Sequence, residues 1–168
     1  MAKIIDGKTV SASVKQKVAD ECAELFKTTE KKPGLAVIIV GDDPASKVYV
    51  NNKKKACELV GFLSKEYALP AQTTQQELME LVEKLNNDDE INGILCQLPL
   101  PKHLDEKAVI EAISPKKDVD AFHAVNVGKI MIGDYDFFLF TPAGVMELLA
   151  YYNIDIEGKE CVVLGRSN

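Results

Sequence analysis

Three polar stretches of this sequence fall where apolar or featureless residues would be expected, and each has a chemistry to offer. Residues Ala45 to Val60 read as a helix. On a wheel of about 100° per residue, Ser46, Tyr49, Val50, Lys53, Ala56, Cys57 and Val60 share one stripe, with Asn51, Lys54, Lys55 and Glu58 opposite. Lys53 is thus in the middle of the buried face. Its ammonium either snorkels out past the helix end, or is partly buried, which disfavours the charged form and lowers the pKa toward a value useful for moving protons. Tyr49, one turn earlier, is either a core tyrosine or a phenol that serves the same ligand as the amine. Gln97 ends a buried strand and opens Gln97-Leu98-Pro99-Leu100-Pro101. An unpaired buried amide costs roughly 1–3 kcal/mol, and two prolines fix an extended rim, so the segment is a turn or a cleft wall. Lys117-Asp118-Val119-Asp120 lies in a loop after Pro115. Its acids are solvated, or one pairs with a 2-amino-pyrimidine edge through two parallel hydrogen bonds. His103 and His123 are the only histidines, and no His/Cys/Asp spacing suits a metal.

The elements that must position these residues alternate in type. A helix is expected over Val10–Phe26, a doubly buried strand over Leu35–Val40, and the Ala45–Val60 helix ends at Gly61. Ser64–Ala68 reads as a strand. Thr74 and Glu77 form a capping-box pair opening a helix through Leu85, followed by the strand Gly93–Gln97. Asp105 caps a short helix reaching Ile113, and after an irregular stretch Thr141, with Pro142 at its first position, opens another through Leu149. Glu160–Leu164 reads as a last strand, feeding Gly165-Arg166-Ser167-Asn168. The expected fold is α/β, a mostly parallel sheet flanked by helices. Ligands of such sheets bind beyond the carboxyl ends of the strands, where Gly41–Lys53 and Gln97–Pro101 both fall.

Composition narrows the class. Of 168 residues, 46% are hydrophobic and the formal net charge is −6, which argues against a nucleic-acid partner. No apolar run is long enough to span a bilayer, and the N-terminus lacks a signal-peptide layout. Cys22, Cys57, Cys96 and Cys161 lie far apart in apolar segments and read as reduced core thiols. A soluble cytoplasmic protein with no membrane partner is expected.

Taken together, the stretches resemble the methylenetetrahydrofolate dehydrogenase/cyclohydrolase family over essentially the whole chain. Ser46 to Ala56 is similar to its Ser-x-x-Tyr-x-x-x-Lys-x-Lys helix, and Gln75 to Leu100 follows its long signature, with Cys96 in place of a larger aliphatic. Lys117–Asp120 matches a Lys-Asp-Val-Asp loop, Asn126-x-Gly128 an Asn-x-Gly, and Thr141–Gly144 a Thr-Pro-x-Gly. The resemblance implies that Tyr49 stacks on and orients a folate. It makes Lys53 the essential lysine, has Gln97 tune it by a hydrogen bond, and lets Asp120 hold the amino-pyrimidine edge while Leu98 and Pro99 line the cleft. Gly165, Arg166 and Ser167 would open an NADP site, beginning a Rossmann-type domain with the Glu160–Leu164 strand. Residues 1–140 would be the folate-binding catalytic domain, and 141–168 a connecting helix and first strand. The implied chemistry is oxidation of 5,10-methylenetetrahydrofolate with NADP, then hydrolysis of the methenyl product to 10-formyltetrahydrofolate. That activity belongs to one-carbon metabolism and supplies purine biosynthesis.

The sequence departs from the family in several places. Ala121 stands where the family has Gly, Ala124 replaces a Pro, and Leu139-Phe140 replaces Pro-Cys. If the glycine has positive φ, Ala121 costs on the order of 1 kcal/mol. The sequence stops at Asn168, so the expectation is a fragment or a truncated product. The family homodimer would then be doubtful for this chain, and a folate-binding module without turnover is the alternative function.

Overall fold

The computed structural model describes residues 4–165. Helices α1 (Gly7–Thr29), α2 (Pro44–Val60), α3 (Gln75–Asn86), α4 (Glu106–Ala112), α5 (Ala124–Ile132) and α6 (Phe140–Tyr151) surround strands β1 (Gly34–Val40), β2 (Leu63–Leu69) and β3 (Gly93–Cys96). The sheet is parallel throughout in the order β2-β1-β3. Central β1 is apolar along its length and buried on both faces, whereas edge β2 alternates toward solvent. One face packs Ile38, Ile94 and Cys96 against Leu78, Val82 and Leu85 of α3 and Val109 of α4. The other packs Val37, Ile39 and Leu95 against Val50 of α2. The expected α/β class and parallel sheet are those observed.

Local chemistry sets the element ends. Asp6, Asp43, Thr74 and Asp105 each accept a hydrogen bond from a first-turn N–H of their helix. Both bonds of the Thr74–Glu77 capping box form. Gly93 allows a fourth segment to approach β3, since a Cβ there would meet Val119 Cγ1 at 2.5 Å. Through that approach Ile94 N donates to Lys117 O (2.6 Å), making a parallel bridge between Ile94 and Asp118.

Several expectations fail. Helix α6 begins at Phe140, and its N-cap Leu139 provides no side-chain cap. Pro142 is therefore its third residue, which costs nothing because a first-turn N–H has no intrahelical partner. The irregular stretch contains α5, opened by His123, whose Nδ1 accepts from Val125 N (3.1 Å), and closed by Gly133 at φ 78°. Most of its apolar residues are exposed, and its one buried residue is Asn126. Residues 161–165 belong to no strand, and Val163 is 86% exposed. A strand exists through its ladder, and no described strand runs alongside. Cys161 is exposed, unlike the three buried thiols.

Ala121 is fully buried with φ 58°, the left-handed conformation that glycine adopts freely. Ala121→Gly is expected to leave stability unchanged or raise it by up to about 1 kcal/mol, the lost methyl contact offsetting part of the relieved strain. Thermal melts of the two chains check this. A loss of more than about 1 kcal/mol would contradict it.

Candidate active site

Helix α2 runs back across the sheet from the carboxyl ends of the strands, and its inward stripe is the one the sequence implied except at Tyr49. Ser46, Val50, Cys57 and Val60 are buried, and Lys53 and Ala56 are half-buried between them. The Lys53 ammonium does not escape past the helix end. Its Nζ donates to Gln97 Oε1 at 2.7 Å. Gln97 is held from both sides, its backbone N–H donating to Ile38 O (2.8 Å) and its Nε2 to Leu98 O (2.8 Å). The amide oxygen is thereby aimed at the lysine, and the strand-end glutamine is satisfied.

The third polar group comes from the loop bridged to β3. Its residues face different ways. Lys117 Nζ donates to Leu85 O (3.0 Å) and Asp88 O (2.8 Å), placing a cation at the carboxyl end of α3. Val119 packs on the face shared with Leu95. Asp120 joins Lys53, Leu95, Cys96, Gln97, Leu98 and Phe122 around a pocket of about 310 Å³. A larger apolar cavity of about 660 Å³ lies between α2 and Phe137, Phe138 and Phe140. Lys53 borders both cavities, but Gln97 and Asp120 face only the smaller. The polar chemistry is therefore there.

Burial disfavours charge on all three ionisable groups of the pocket. Desolvation lowers the Lys53 pKa, opposed by the negative charge of Asp120. Desolvation raises Asp120 to about 6, opposed by Lys53 and assisted by the like charge of Asp118. The Cys96 thiol is pushed up to about 12, first by burial and then by Asp120 and Glu106, so it lines the pocket as a neutral group. The site therefore combines an amine whose proton is held less tightly than usual with a carboxylate that takes one up as pH falls through about 6.

Of the residues singled out from sequence, Lys53, Gln97, Leu98 and Asp120 meet around one pocket. Tyr49 does not line it and is 59% exposed, outside the buried stripe assigned to it. Pro99 is also exposed and outside the lining, and the Leu98–Pro99 peptide is cis. Gly165 lies in no element, and Arg166 and Ser167 fall outside the described residues. The described residues thus build no dinucleotide cradle, which needs a strand, a turn and a following helix N-terminus. Sequence reasoning missed Phe122, an aromatic next to the left-handed residue 121 and 46% exposed at the pocket. Its position directly after the Val-Asp pair was the available signal. Among the described residues no group of three or more His, Cys, Asp and Glu could hold a metal, and no helix is long and apolar enough to cross a membrane.

An α/β domain with a lysine–amide–carboxylate pocket at the carboxyl edge of a parallel sheet has the layout of a small-molecule site in an enzyme domain. Residues 5–120 match the description "Tetrahydrofolate dehydrogenase/cyclohydrolase, catalytic domain", and the chain belongs to that family. It is 62% identical over 167 residues to the bifunctional protein FolD of Acetivibrio thermocellus, covering 99% of this chain and 58% of that one. With the FolD of Agathobacter rectalis the identity is 56%, over all of this chain and 60% of the relative. The FolD methylenetetrahydrofolate dehydrogenase/cyclohydrolase from Campylobacter jejuni superposes with a TM-score of 0.92 at 45% identity, over 98% of this chain and 58% of that one. The Trypanosoma brucei enzyme, solved with NADP cofactor and inhibitor, gives 0.88 at 37%, over 94% and 54%. The chain spans less than two thirds of the length of these relatives.

Because Asp120 binds its proton more tightly folded than unfolded, its ionisation subtracts stability as pH rises from about 4 to 6, and the loss persists above. Asp120→Asn is therefore expected to stabilise the ligand-free chain at pH 8 by on the order of 1 kcal/mol after loss of the Lys53 attraction, seen as a higher melting temperature. No gain is expected at pH 4. Equal gains at both pH values would refute the buried-carboxylate account.

Proposed function

We propose that this chain binds a reduced folate and carries the lysine of a methenyltetrahydrofolate cyclohydrolase, as part of a bifunctional dehydrogenase/cyclohydrolase. The observation that carries the reading is the Lys53–Gln97 hydrogen bond beside Asp120. A folate presents two adjacent N–H donors on its pyrimidine edge, the ring N–H and the amino group. An ionised Asp120 accepts both in parallel. Tyr49 stands at the exposed end of the Lys53 face and stacks on the bound ring system, with Leu98 and Pro99 on the opposite wall.

The reacting methenyl carbon is cationic, so a permanent ammonium beside it would be repulsive. Burial lowers the Lys53 pKa, which enlarges the share of neutral amine, the form proposed to act. As a water oxygen bonds to that carbon, the amine takes a proton from it. The resulting ammonium, steadied by Gln97 Oε1, returns a proton to the ring nitrogen as the carbon–nitrogen bond opens. The carbonyl forms with loss of the remaining hydroxyl proton, so 10-formyltetrahydrofolate and one proton leave. The dehydrogenase arm is proposed for the whole protein. It uses NADP, as named for the Trypanosoma brucei enzyme, held by a domain that Gly165, Arg166 and Ser167 begin, with residues 1–140 as the folate-binding domain. The acidic net charge fits a protein without nucleic-acid partners, and a cytoplasmic homodimer is proposed for the whole protein from the family resemblance.

Lys53→Met is expected to cut hydrolysis of 5,10-methenyltetrahydrofolate by at least about a hundredfold, followed by the loss of methenyl absorbance, while 5-formyltetrahydrofolate still binds. Near-normal hydrolysis would remove Lys53 from the chemistry. Asp120→Ala should weaken folate binding about tenfold to a hundredfold. In the unmutated chain, affinity should fall as pH drops through about 6, where Asp120 gains its proton. Calorimetric titrations at pH 5 and pH 8 measure both. Titration of the 168-residue chain with NADP⁺ should show no saturable micromolar binding.

A further inference from the structure

The sequence match drew attention to the second acid of the Lys-Asp-Val-Asp loop, but the first is the more unusual residue. Asp118 is 3% exposed and is the only charged residue in the buried class among those described. A buried carboxylate is expensive unless its lone pairs are filled. Here Oδ2 accepts from His123 N (2.9 Å) and from Asn126 Nδ2 (2.9 Å), and Asn126 is itself 3% exposed. Asn126 Nδ2 also donates to Pro115 O (2.9 Å), and Asp118 O receives Ala121 N (3.3 Å). The entry to the loop, its turn and the first turn of α5 are thus tied together through two residues, Asp118 and Asn126. Ala121 at φ 58° is inside this knot, and Asp120 leaves it toward the pocket.

We propose that the buried Asp118–Asn126 pair is the positioning device of the folate site, holding Asp120 at the pocket wall and making it a stronger hydrogen-bond acceptor. The pair lines no part of the pocket, so it acts only through Asp120. The inference deepens the folate reading and rests on it for the identity of the ligand. Two features separate the pair from ordinary loop packing. First, a neutral amide could accept the same two hydrogen bonds, so the geometry alone does not require a charge at position 118. Second, that charge is two residues from Asp120 and opposes its ionisation, and a more basic carboxylate accepts hydrogen bonds more strongly. The other groups facing Asp120 are Lys53 from α2, whose charge acts in the reverse sense, and the neutral Cys96 thiol from β3. On the far side, the His123 ring is 3.5 Å from Glu111 rather than paired to Asp118.

Asp118→Asn keeps the shape and the acceptor while removing the charge, and Asp118→Ala removes both. Carbon-13 NMR of the side-chain carboxyls follows Asp120 directly, without any ligand. In Asp118→Asn its titration midpoint should fall by roughly half a pH unit or more, since the like-charge repulsion is gone. The pH at which 5-formyltetrahydrofolate affinity is lost should fall with it, and Asp118→Asn should bind about threefold more weakly than the parent at pH 8, Asp120 being the weaker acceptor. Asp118→Ala and Asn126→Ala should each bind at least about tenfold more weakly at pH 8, the knot being untied. An Asp120 midpoint unmoved in Asp118→Asn overturns the proposal, and it does so even if the alanine variants fail to fold. Unchanged affinity in folded Asn126→Ala overturns it as well. A shifted midpoint in a parent chain that binds no folate would instead discard the folate reading and leave the Asp118–Asp120 coupling standing.

Discussion

An ammonium group half-buried against a sheet must find acceptors for its protons, and at Lys53 the one provided is a neutral amide oxygen at 2.7 Å. Had the contact been a carboxylate, the lysine would be fixed in its charged form. Had there been none, the residue would have to reach for water. The amide serves between these limits: it orients the nitrogen and leaves the choice of protonation state to burial and to the more distant charge of Asp120. Much of the domain serves that contact. β1 is buried on both faces so that Ile38 O can take the Gln97 N–H, and Gln97 Nε2 is satisfied by Leu98 O, which leaves its oxygen free to face α2.

The same logic explains why the pocket is assembled from three places distant in sequence. A parallel sheet gathers the ends of its strands at one edge, where peptide groups leave the ladder and side chains can converge. Helix α2 delivers Lys53, the end of β3 delivers Gln97, and the loop bridged to β3 delivers Asp120. The last delivery depends on Gly93, because any side chain there would collide with Val119 and push the loop away from the strand.

Features carried by periodic patterns or by local hydrogen-bond chemistry were readable from sequence. The strands, the Thr74 capping box, the lysine in an apolar stripe and the polar strand-end glutamine belong to this group, and so does the positive φ suspected at Ala121. What escaped depended on where packing stops and on hydrogen-bond partners that no periodic pattern marks. Tyr49 satisfies the helical period but is exposed, since a wheel reports direction and cannot report where packing stops. Helix α5 leaves Val125, Val127, Met131 and Ile132 exposed and buries the amide of Asn126, so apolar spacing does not mark its packed face. Asp118 looked like a solvated acid and is buried, its donors lying five and eight residues ahead. The apolar run ending at Leu164 reads as a strand only to an eye that supplies a neighbour for it.

The loop that carries Asp120 joins the sheet by a single bridge at Ile94, whereas β1 is laddered along both sides. Beyond that bridge the loop is held by side chains: Lys117 Nζ on Leu85 O and Asp88 O, and Asp118 on Asn126. The pocket therefore rests on two kinds of support. The lysine and the glutamine ride on a helix and a strand end, whose backbone bonds survive most substitutions, whereas the place of the carboxylate is written in a few side chains. A single replacement can displace one wall of the pocket and spare the other.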